Sequence, residues 1–145
     1  MPINKTEDNF ISNDASNNPV MSWTIENVKD RRFVRVVARG VYNIDDHMRM
    51  LEDLVTRDSW KPGMNLLIDD TSLDFRQSSL EELREVSIRR IGLDALIGGG
   101  KTAVLVSSLT GFARARQYEL ITSGKISAKI EIFRDEDEAL LWLLT

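Results

Sequence analysis

The last 45 residues constrain the fold most, because they alternate between short apolar runs and amphipathic segments. Lys101 to Ser108 and Ile126 to Arg134 have the length and β-branched content of strands. Thr110 to Gly124 and Asp135 to Leu144 have the apolar spacing of helices. The order strand, helix, strand, helix is typical of an α/β domain with parallel strands.

The first half of the chain extends this alternation. Ser22 to Val28 and Arg32 to Tyr42 are β-branched or aromatic runs separated by Lys-Asp-Arg, which predicts an antiparallel hairpin. Asn43 is a suitable N-cap for an amphipathic helix that we expect to end near Trp60. Met64 to Ile68 is an apolar run of the kind that a strand buried on both faces requires.

The middle of the chain supplies one more helix and strand. Ser79 and Glu82 have capping-box spacing, which predicts a helix that begins at Ser78 or Ser79 and stops before Gly98. Thr102 to Val106 is an apolar run too short for a helix, and Thr110 is expected to cap the helix after it. The whole pattern predicts a single α/β domain with a mixed, mostly parallel five-stranded sheet, an N-terminal β-hairpin and four flanking helices.

Length and composition support one globular unit. The chain has 145 residues, with 42% hydrophobic and 29% charged residues, which are ordinary values for a globular domain. Residues 1–20 are rich in Asn, Ser and Asp and are expected to form a flexible polar arm before a domain at 21–145. The net charge of −4 argues against nucleic-acid binding, which requires clustered Lys and Arg. Arg89 and Arg90 are interpreted as solvated residues that offset a helix dipole.

Several other classes are disfavoured. No apolar run approaches the roughly 20 residues that cross a bilayer, and the first ten residues lack the pattern of a secretion signal, so a cytoplasmic location is predicted. There is no cysteine, which removes disulfides and thiolate chemistry. His47 is the only histidine and is expected on the surface, in the first turn of a helix. The sequence therefore predicts a protein without catalytic activity and without a cofactor or bound metal.

A glycine-rich segment at residues 95–102 partly matches a phosphate-binding loop. A phosphate-binding loop leaves a strand and opens a helix, so that backbone N–H groups converge on the phosphates. Here the order is reversed, with a helix before Gly98 and a strand after Gly100. The segment is better interpreted as a connector.

Two groups of polar residues are candidates for a ligand or partner surface. Asp69 and Asp70 end a predicted parallel strand, where α/β folds place ligands. Thr71, Ser72 and Asp74 could complete a cation site there, although Asx-turns explain the same residues. Arg114, Arg116 and Tyr118 could form an anion site on a helix, or pack on one face and face solvent on the other.

Three segments, in order, resemble the bacterial SpoIIAA-like proteins: NLLIDD (residues 65–70), GFARARQYE (111–119) and IFRDEDEALLWL (132–143). This family is a branch of the fold shared by STAS domains and lipid-carrying CRAL-TRIO domains. In STAS-type antagonists a kinase phosphorylates a serine in an Asp-Ser-Ser-Gly loop. The matching position here reads Gln77, Ser78, Ser79, Leu80, so the resemblance implies Ser78, and less strongly Ser79, as a phosphosite.

The resemblance implies a non-catalytic regulatory or protein-interaction module. The alternative is a carrier or sensor of a small apolar or amphipathic, lipid-like ligand, and a carrier requires an apolar pocket of ~300 Å³ or more. A third possibility is an enzyme that uses Asp69 and Asp70 with a metal. A homodimer is expected on general grounds, because two-fold dimers are the commonest assemblies.

Overall fold

A computed structural model describes residues 20–28, 30 and 32–145. Residues 1–19 of the predicted arm lie outside this part, so its boundary stays a prediction. The described strands and helices, in chain order, are β1 (Ser22–Val28), β2 (Phe33–Val41), α1 (Ile44–Val55), β3 (Asn65–Asp74), α2 (Leu80–Ile91), α3 (Asp94–Ile97), β4 (Lys101–Leu105), α4 (Leu109–Thr122), β5 (Lys129–Phe133) and α5 (Glu136–Leu144).

The five strands form one sheet in the order β1-β2-β3-β4-β5. β1 pairs antiparallel with β2, and the other three pairs are parallel. Each parallel pair is joined by a helical crossover, as parallel neighbours require. The predicted mixed sheet and N-terminal hairpin are confirmed. The four expected helices are present, but the one predicted to run from Ser78 or Ser79 to before Gly98 is split into α2, which ends at Ile91, and the four-residue helix α3.

Two apolar cores lie on opposite faces of the sheet. Leu66 and Ile68 of β3 join the larger core, which contains Leu51 of α1 and Leu83 of α2. Leu67 belongs to a smaller core beneath α5. Successive residues of β3 are therefore buried on both sides, as predicted for a central strand.

The predicted helix starts are right in two cases and wrong in a third. Asn43 caps α1 by accepting a hydrogen bond from the Asp46 amide at 3.0 Å, and Ser79 forms the predicted capping box at the start of α2. The cap of α4 is Ser108 instead of Thr110, because Ser108 has extended backbone angles and its Oγ accepts from the Gly111 amide at 2.9 Å.

Helix α1 ends earlier than predicted, at Val55 instead of near Trp60. The hydroxyl of Thr56 donates to the Glu52 carbonyl at 2.8 Å, at the point where the helix ends. Trp60 instead packs into the larger core, and its indole N–H donates to the Leu96 carbonyl at 2.9 Å.

Strand β3 is longer than predicted and continues past Ile68 to Asp74. Its pairing with β2 shifts between Val37 and Arg39, which face Asp69 and Ser72. One extra residue on β3 makes this a bulge, and a bulge changes which face later side chains occupy. Asp70 alternates in step with Leu66 and Ile68, so it lies on the same face of the sheet as they do, the face covered by α1 and α2. After the bulge the odd positions Leu73 and Phe75 take that face.

The glycine run at 98–100 connects α3 to β4, which confirms its interpretation as a connector. A Cβ atom at Gly98 would lie 2.2 Å from the Gly63 amide nitrogen, and one at Gly100 would lie 2.4 Å from the Gly63 carbonyl oxygen. The glycines are needed for close backbone packing against the turn before β3. In the part of the chain that the structure describes, no helix is both long and apolar enough to cross a membrane.

Candidate functional site

A cavity of about 60 Å³ lies between the sheet and helices α1, α2 and α4. Most of its wall is apolar and comes from Leu51, Leu66, Ile68, Phe75, Leu83, Ile97, Val104, Ala115 and Ile130. The polar part of the wall comes from Tyr42, His47, Asp70, Ser78, Ser79, Arg90, Thr102, Arg114 and Tyr118. A cavity needs about 10–15 Å³ to hold one water molecule, so this cavity has room for about four to six atoms of that size. That is well below the ~300 Å³ expected of a carrier pocket.

Asp70 lies at the bulge of β3 and faces this cavity. The residue as a whole is half-buried, but its Oδ1 oxygen is buried and has no hydrogen-bond partner among the described residues. Burial, with a smaller contribution from the neighbouring Asp69, raises the pKa of Asp70 to about 7. The carboxyl group is thus far more easily protonated near neutral pH than an exposed aspartate.

Arg90 lies in the last turn of α2 and is only 3% exposed. Its Nη1 is buried without a hydrogen-bond partner among the described residues. Asp94 Oδ1 is 3.8 Å from Nη1, which allows Coulomb attraction but is too long for a hydrogen bond. That oxygen instead accepts from the Ser127 amide at 2.7 Å. The prediction that Arg90 is solvated is wrong, because it shares the apolar face of α2 with Leu83 and Val86.

His47 is half-buried and lines the cavity, so its predicted surface position is also wrong. Its Nδ1 is hydrogen-bonded to the Tyr42 hydroxyl at 2.7 Å, and its ring stacks on Tyr118 with centroids 6.1 Å apart. Burial, reinforced by Arg90 and Arg89, lowers the pKa of His47 to about 4, so the imidazole is neutral at pH 7. Burial also raises the pKa of Tyr42, and raises that of Tyr118 to about 12.

The loop between β3 and α2 covers one side of the cavity and is fastened to α4. Arg114 donates from Nε to Ser78 Oγ and from Nη2 to the Ser78 carbonyl, both at 2.9 Å. The Ser78 hydroxyl in turn donates to the Phe75 carbonyl at 2.7 Å. Ser79 is the N-cap of α2. Both serines suggested as phosphosites therefore have structural roles, and their phosphorylation stays a prediction.

The structure brings together most of the predicted site residues. Among the residues predicted from sequence, those that line the cavity are Asp70, Ser78, Ser79, Arg114 and Tyr118. Asp69 does not line it, and its Oδ1 accepts from the Thr71 amide at 3.0 Å and hydroxyl at 2.6 Å. Arg116 pairs with Glu119 on the surface of α4.

Four polar cavity residues were missed by the sequence analysis: Tyr42, His47, Arg90 and Thr102. Two of them carried a signal in their spacing. His47 is three residues after Ile44 and four before Leu51, and Arg90 is four residues after Val86. Both therefore occupy the apolar face of their helix.

The described residues contain no group of three or more His, Cys, Asp or Glu side chains placed to hold a metal ion. Asp74, which was considered as a third ligand beside Asp69 and Asp70, forms an ion pair with Arg76 at 2.8 Å. The metal-enzyme alternative gains no support from this geometry.

The fold can be compared with solved structures. It is similar to that of an uncharacterized protein from the DUF3478 family with a SpoIIAA-like fold, from Shewanella loihica PV-4. The TM-score is 0.53 at 18% sequence identity, and the match covers 85% of this chain and 93% of that chain. The chain therefore has a SpoIIAA-like fold, as its sequence resemblance implied. No family model matches the sequence, and no curated protein matches it significantly.

Proposed function

We propose that this protein is a non-catalytic binding module that senses a small ligand in the cavity between the sheet and helices α1, α2 and α4. The observation that carries this proposal is that two residues lining the cavity, Asp70 on β3 and Arg90 on α2, each have a buried polar atom, Oδ1 and Nη1, without a partner among the described residues. An unsatisfied buried polar group costs about 1–3 kcal/mol. A ligand that supplies both partners recovers part of that cost.

The position of the cavity supports a sensing role. The cavity touches the loop that precedes α2, and Arg114 links this loop to α4 through Ser78. A ligand among these elements changes the free energy of one arrangement of the loop relative to others. The exposed side of the loop then reports occupancy to a partner.

Ligand size separates sensing from transport. The cavity of about 60 Å³ has room for a few heavy atoms. A lipid-like cargo requires several times that volume. The sensor alternative therefore fits the geometry better than the carrier alternative.

A phosphorylation-controlled interaction module is a second candidate, favoured by one contact. The Arg114 guanidinium already lies 2.9 Å from Ser78 Oγ, and guanidinium groups bind phosphate strongly. A phosphate on Ser78 would find this charge partner and the N-terminus of α2 nearby. Incorporation of phosphoserine at position 78, followed by a partner-binding assay, tests this candidate separately.

The test of the main proposal is ligand-observed NMR with the full chain and a panel of soluble acids, amides, amines and alcohols of about four to six heavy atoms. Ala115→Phe fills the cavity from α4, and Ala113→Phe adds the same bulk to an exposed position of that helix. We expect at least one compound to bind the wild type and Ala113→Phe, and to lose binding in Ala115→Phe. Binding that is equal in all three proteins, or no binding to any, would refute the proposal.

A further inference from the structure

The charged groups of the cavity wall are unequal in number. Asp70, Arg90 and Arg114 line the cavity, so it presents two guanidinium groups and one carboxyl group. The other titratable side chains there are neutral at pH 7: His47 has its pKa lowered to about 4 by burial and by Arg90 and Arg89, and burial raises the pKa of both Tyr42 and Tyr118. The lining itself therefore carries two guanidinium groups against one carboxyl group, and Asp94, outside the lining, lies 3.8 Å from Arg90 Nη1.

The two arginines differ in how many of their hydrogen-bond donors already have partners, and Arg90 retains a donor without one in the described part of the chain. Arg114 donates hydrogen bonds from Nε and from Nη2 to Ser78. Arg90 Nη1 has no hydrogen bond among the described residues and faces Asp94 at 3.8 Å. A planar acceptor with two oxygens is the natural complement of a guanidinium group.

The apolar part of the cavity wall determines what the uncharged end of the ligand can be. Leu51, Ile68, Leu83 and Val104 form an apolar surface beside these charges. A fully polar anion such as phosphate would lose hydration against this surface without replacing it. An anion with a short hydrocarbon tail fits both parts.

We propose that the cavity binds a short-chain monocarboxylate, whose carboxylate group takes a hydrogen bond from Arg90 and whose hydrocarbon tail lies against Leu51, Ile68 and Leu83. This inference rests on the proposed function and names the ligand class of the same site. The carboxylate also accepts a hydrogen bond from Asp70 when Asp70 carries a proton, which satisfies the second unpartnered group.

Binding of this kind is linked to the protonation of Asp70. The groups that interact with Asp70 are Asp69 on its own strand, Tyr42 after β2 and Tyr118 on α4. The other titratable or charged groups that line the same cavity are His47 on α1, Arg90 on α2 and Arg114 on α4. A second carboxylate in the cavity disfavours ionised Asp70, so binding at pH 7 takes up protons. The uptake is less than one proton per ligand, because Asp70, with a pKa of about 7, is partly protonated before the ligand binds.

The experiment compares three probes of nearly equal size with the full chain: butyrate, butyramide and butylamine. Isothermal titration calorimetry at pH 7 in PIPES and in Tris gives each affinity and the number of protons exchanged. We expect butyrate to bind at least tenfold more tightly than the other two, with proton uptake. Its affinity should fall by up to about tenfold between pH 6 and pH 8, as Asp70 ionises.

Two variants test the roles of Asp70 and Arg90 in butyrate binding. Asp70→Asn cannot ionise, so it should bind butyrate at least as tightly as the wild type, without proton uptake and without pH dependence. Arg90→Met should weaken butyrate binding at least tenfold and affect butyramide less. If Arg90→Met fails to fold, Asp70→Asn still decides the question, because a tenfold loss of butyrate affinity in it would overturn the proposal.

The outcomes separate this inference from the proposed function. Tighter binding of butyramide or butylamine, with binding lost in Ala115→Phe, overturns the carboxylate inference and leaves the cavity as a binding site. Binding of butyrate with proton release also overturns the inference. If none of the three probes binds and the wider panel also fails, both proposals fall.

Discussion

Arg114 of α4 fastens Ser78, in the loop before α2, with two hydrogen bonds of 2.9 Å to its hydroxyl and its carbonyl oxygen. This contact joins two elements that are 36 residues apart in the chain and that both border the cavity. The loop is therefore attached to a neighbouring helix by one side chain.

Replacing Arg114 with Met removes both bonds while it keeps the length of the side chain. Hydrogen bonds to charged groups contribute about 1.5–3 kcal/mol, so opening of the loop should become about tenfold more frequent or more. Hydrogen exchange of the amides at residues 76–80, followed by mass spectrometry, measures this. Arg116→Met is the matched control on the surface of the same helix, and equal exchange in the two variants would contradict the role of Arg114.

Tyr42→Phe removes the partner of the buried His47 Nδ1. We expect a loss of about 1–3 kcal/mol in the free energy of unfolding, because the imidazole nitrogen stays buried without a hydrogen bond. Urea denaturation of the wild type, Tyr42→Phe, His47→Leu and the double variant forms a double-mutant cycle. A coupling energy near zero would show that the hydrogen bond does not stabilise the protein.

Asp70 should make the protein less stable as the pH rises. Its pKa is about 7 in the folded protein against an ordinary value of 3.8, so the folded state holds the proton more tightly than the unfolded state. The favourable contribution of the protonated carboxyl is complete below about pH 4, falls as the pH rises toward 7 and is absent above it. The total change is on the order of 2–4 kcal/mol.

Asp70→Asn isolates this effect. The difference in free energy of unfolding between wild type and variant, measured with urea from pH 4.5 to 8.5, should grow in favour of the variant up to about pH 7 and then level off. His47, with its lowered pKa, gives the opposite slope below about pH 6.5, but it is present in both proteins and cancels to first order. A constant difference across this range would refute the assignment.

The three consecutive glycines should differ in their tolerance of alanine. At Gly98 and Gly100 a Cβ would lie 2.2 Å and 2.4 Å from backbone atoms of Gly63, and Gly98 also has a φ of +83°. At Gly99 the nearest atom is Ser127 Cβ at 3.6 Å, an ordinary contact. Gly98→Ala and Gly100→Ala should lose more than about 2 kcal/mol of stability, and Gly99→Ala should be neutral or up to ~1 kcal/mol more stable. Thermal denaturation ranks the three variants, and a similar loss at Gly99 would contradict the close packing.

The fold was predictable because its signals are local. The apolar runs that became β3, β4 and β5, and caps such as Asn43 and Ser79, depend on residues within a few positions of one another. The end of β3 was not predictable, because five of the six residues at 69–74 are polar and the segment beyond the bulge stays in the sheet through its pairing with β2. Such pairing depends on a distant segment of the chain.

The site was predicted in part, for a related reason. Asp70, Arg114 and Tyr118 were candidates because of where they lie in the predicted elements. His47 and Arg90 were interpreted as surface residues because charged and polar groups usually avoid the interior. Their positions on the apolar faces of α1 and α2 were the contrary signal, and both side chains contribute to the polar part of the cavity wall.

The most direct test of the cavity as a binding site is methyl NMR of the full chain with labelled Leu, Ile and Val, titrated with butyrate and then with butyramide. We predict saturable chemical-shift changes at the cavity methyl groups of Leu51, Ile68 and Leu83 for at least one probe. The exposed methyl groups of Leu120 and Leu141 should stay unchanged. Cavity methyl groups that do not respond to either probe, or exposed methyl groups that respond equally, would contradict the account.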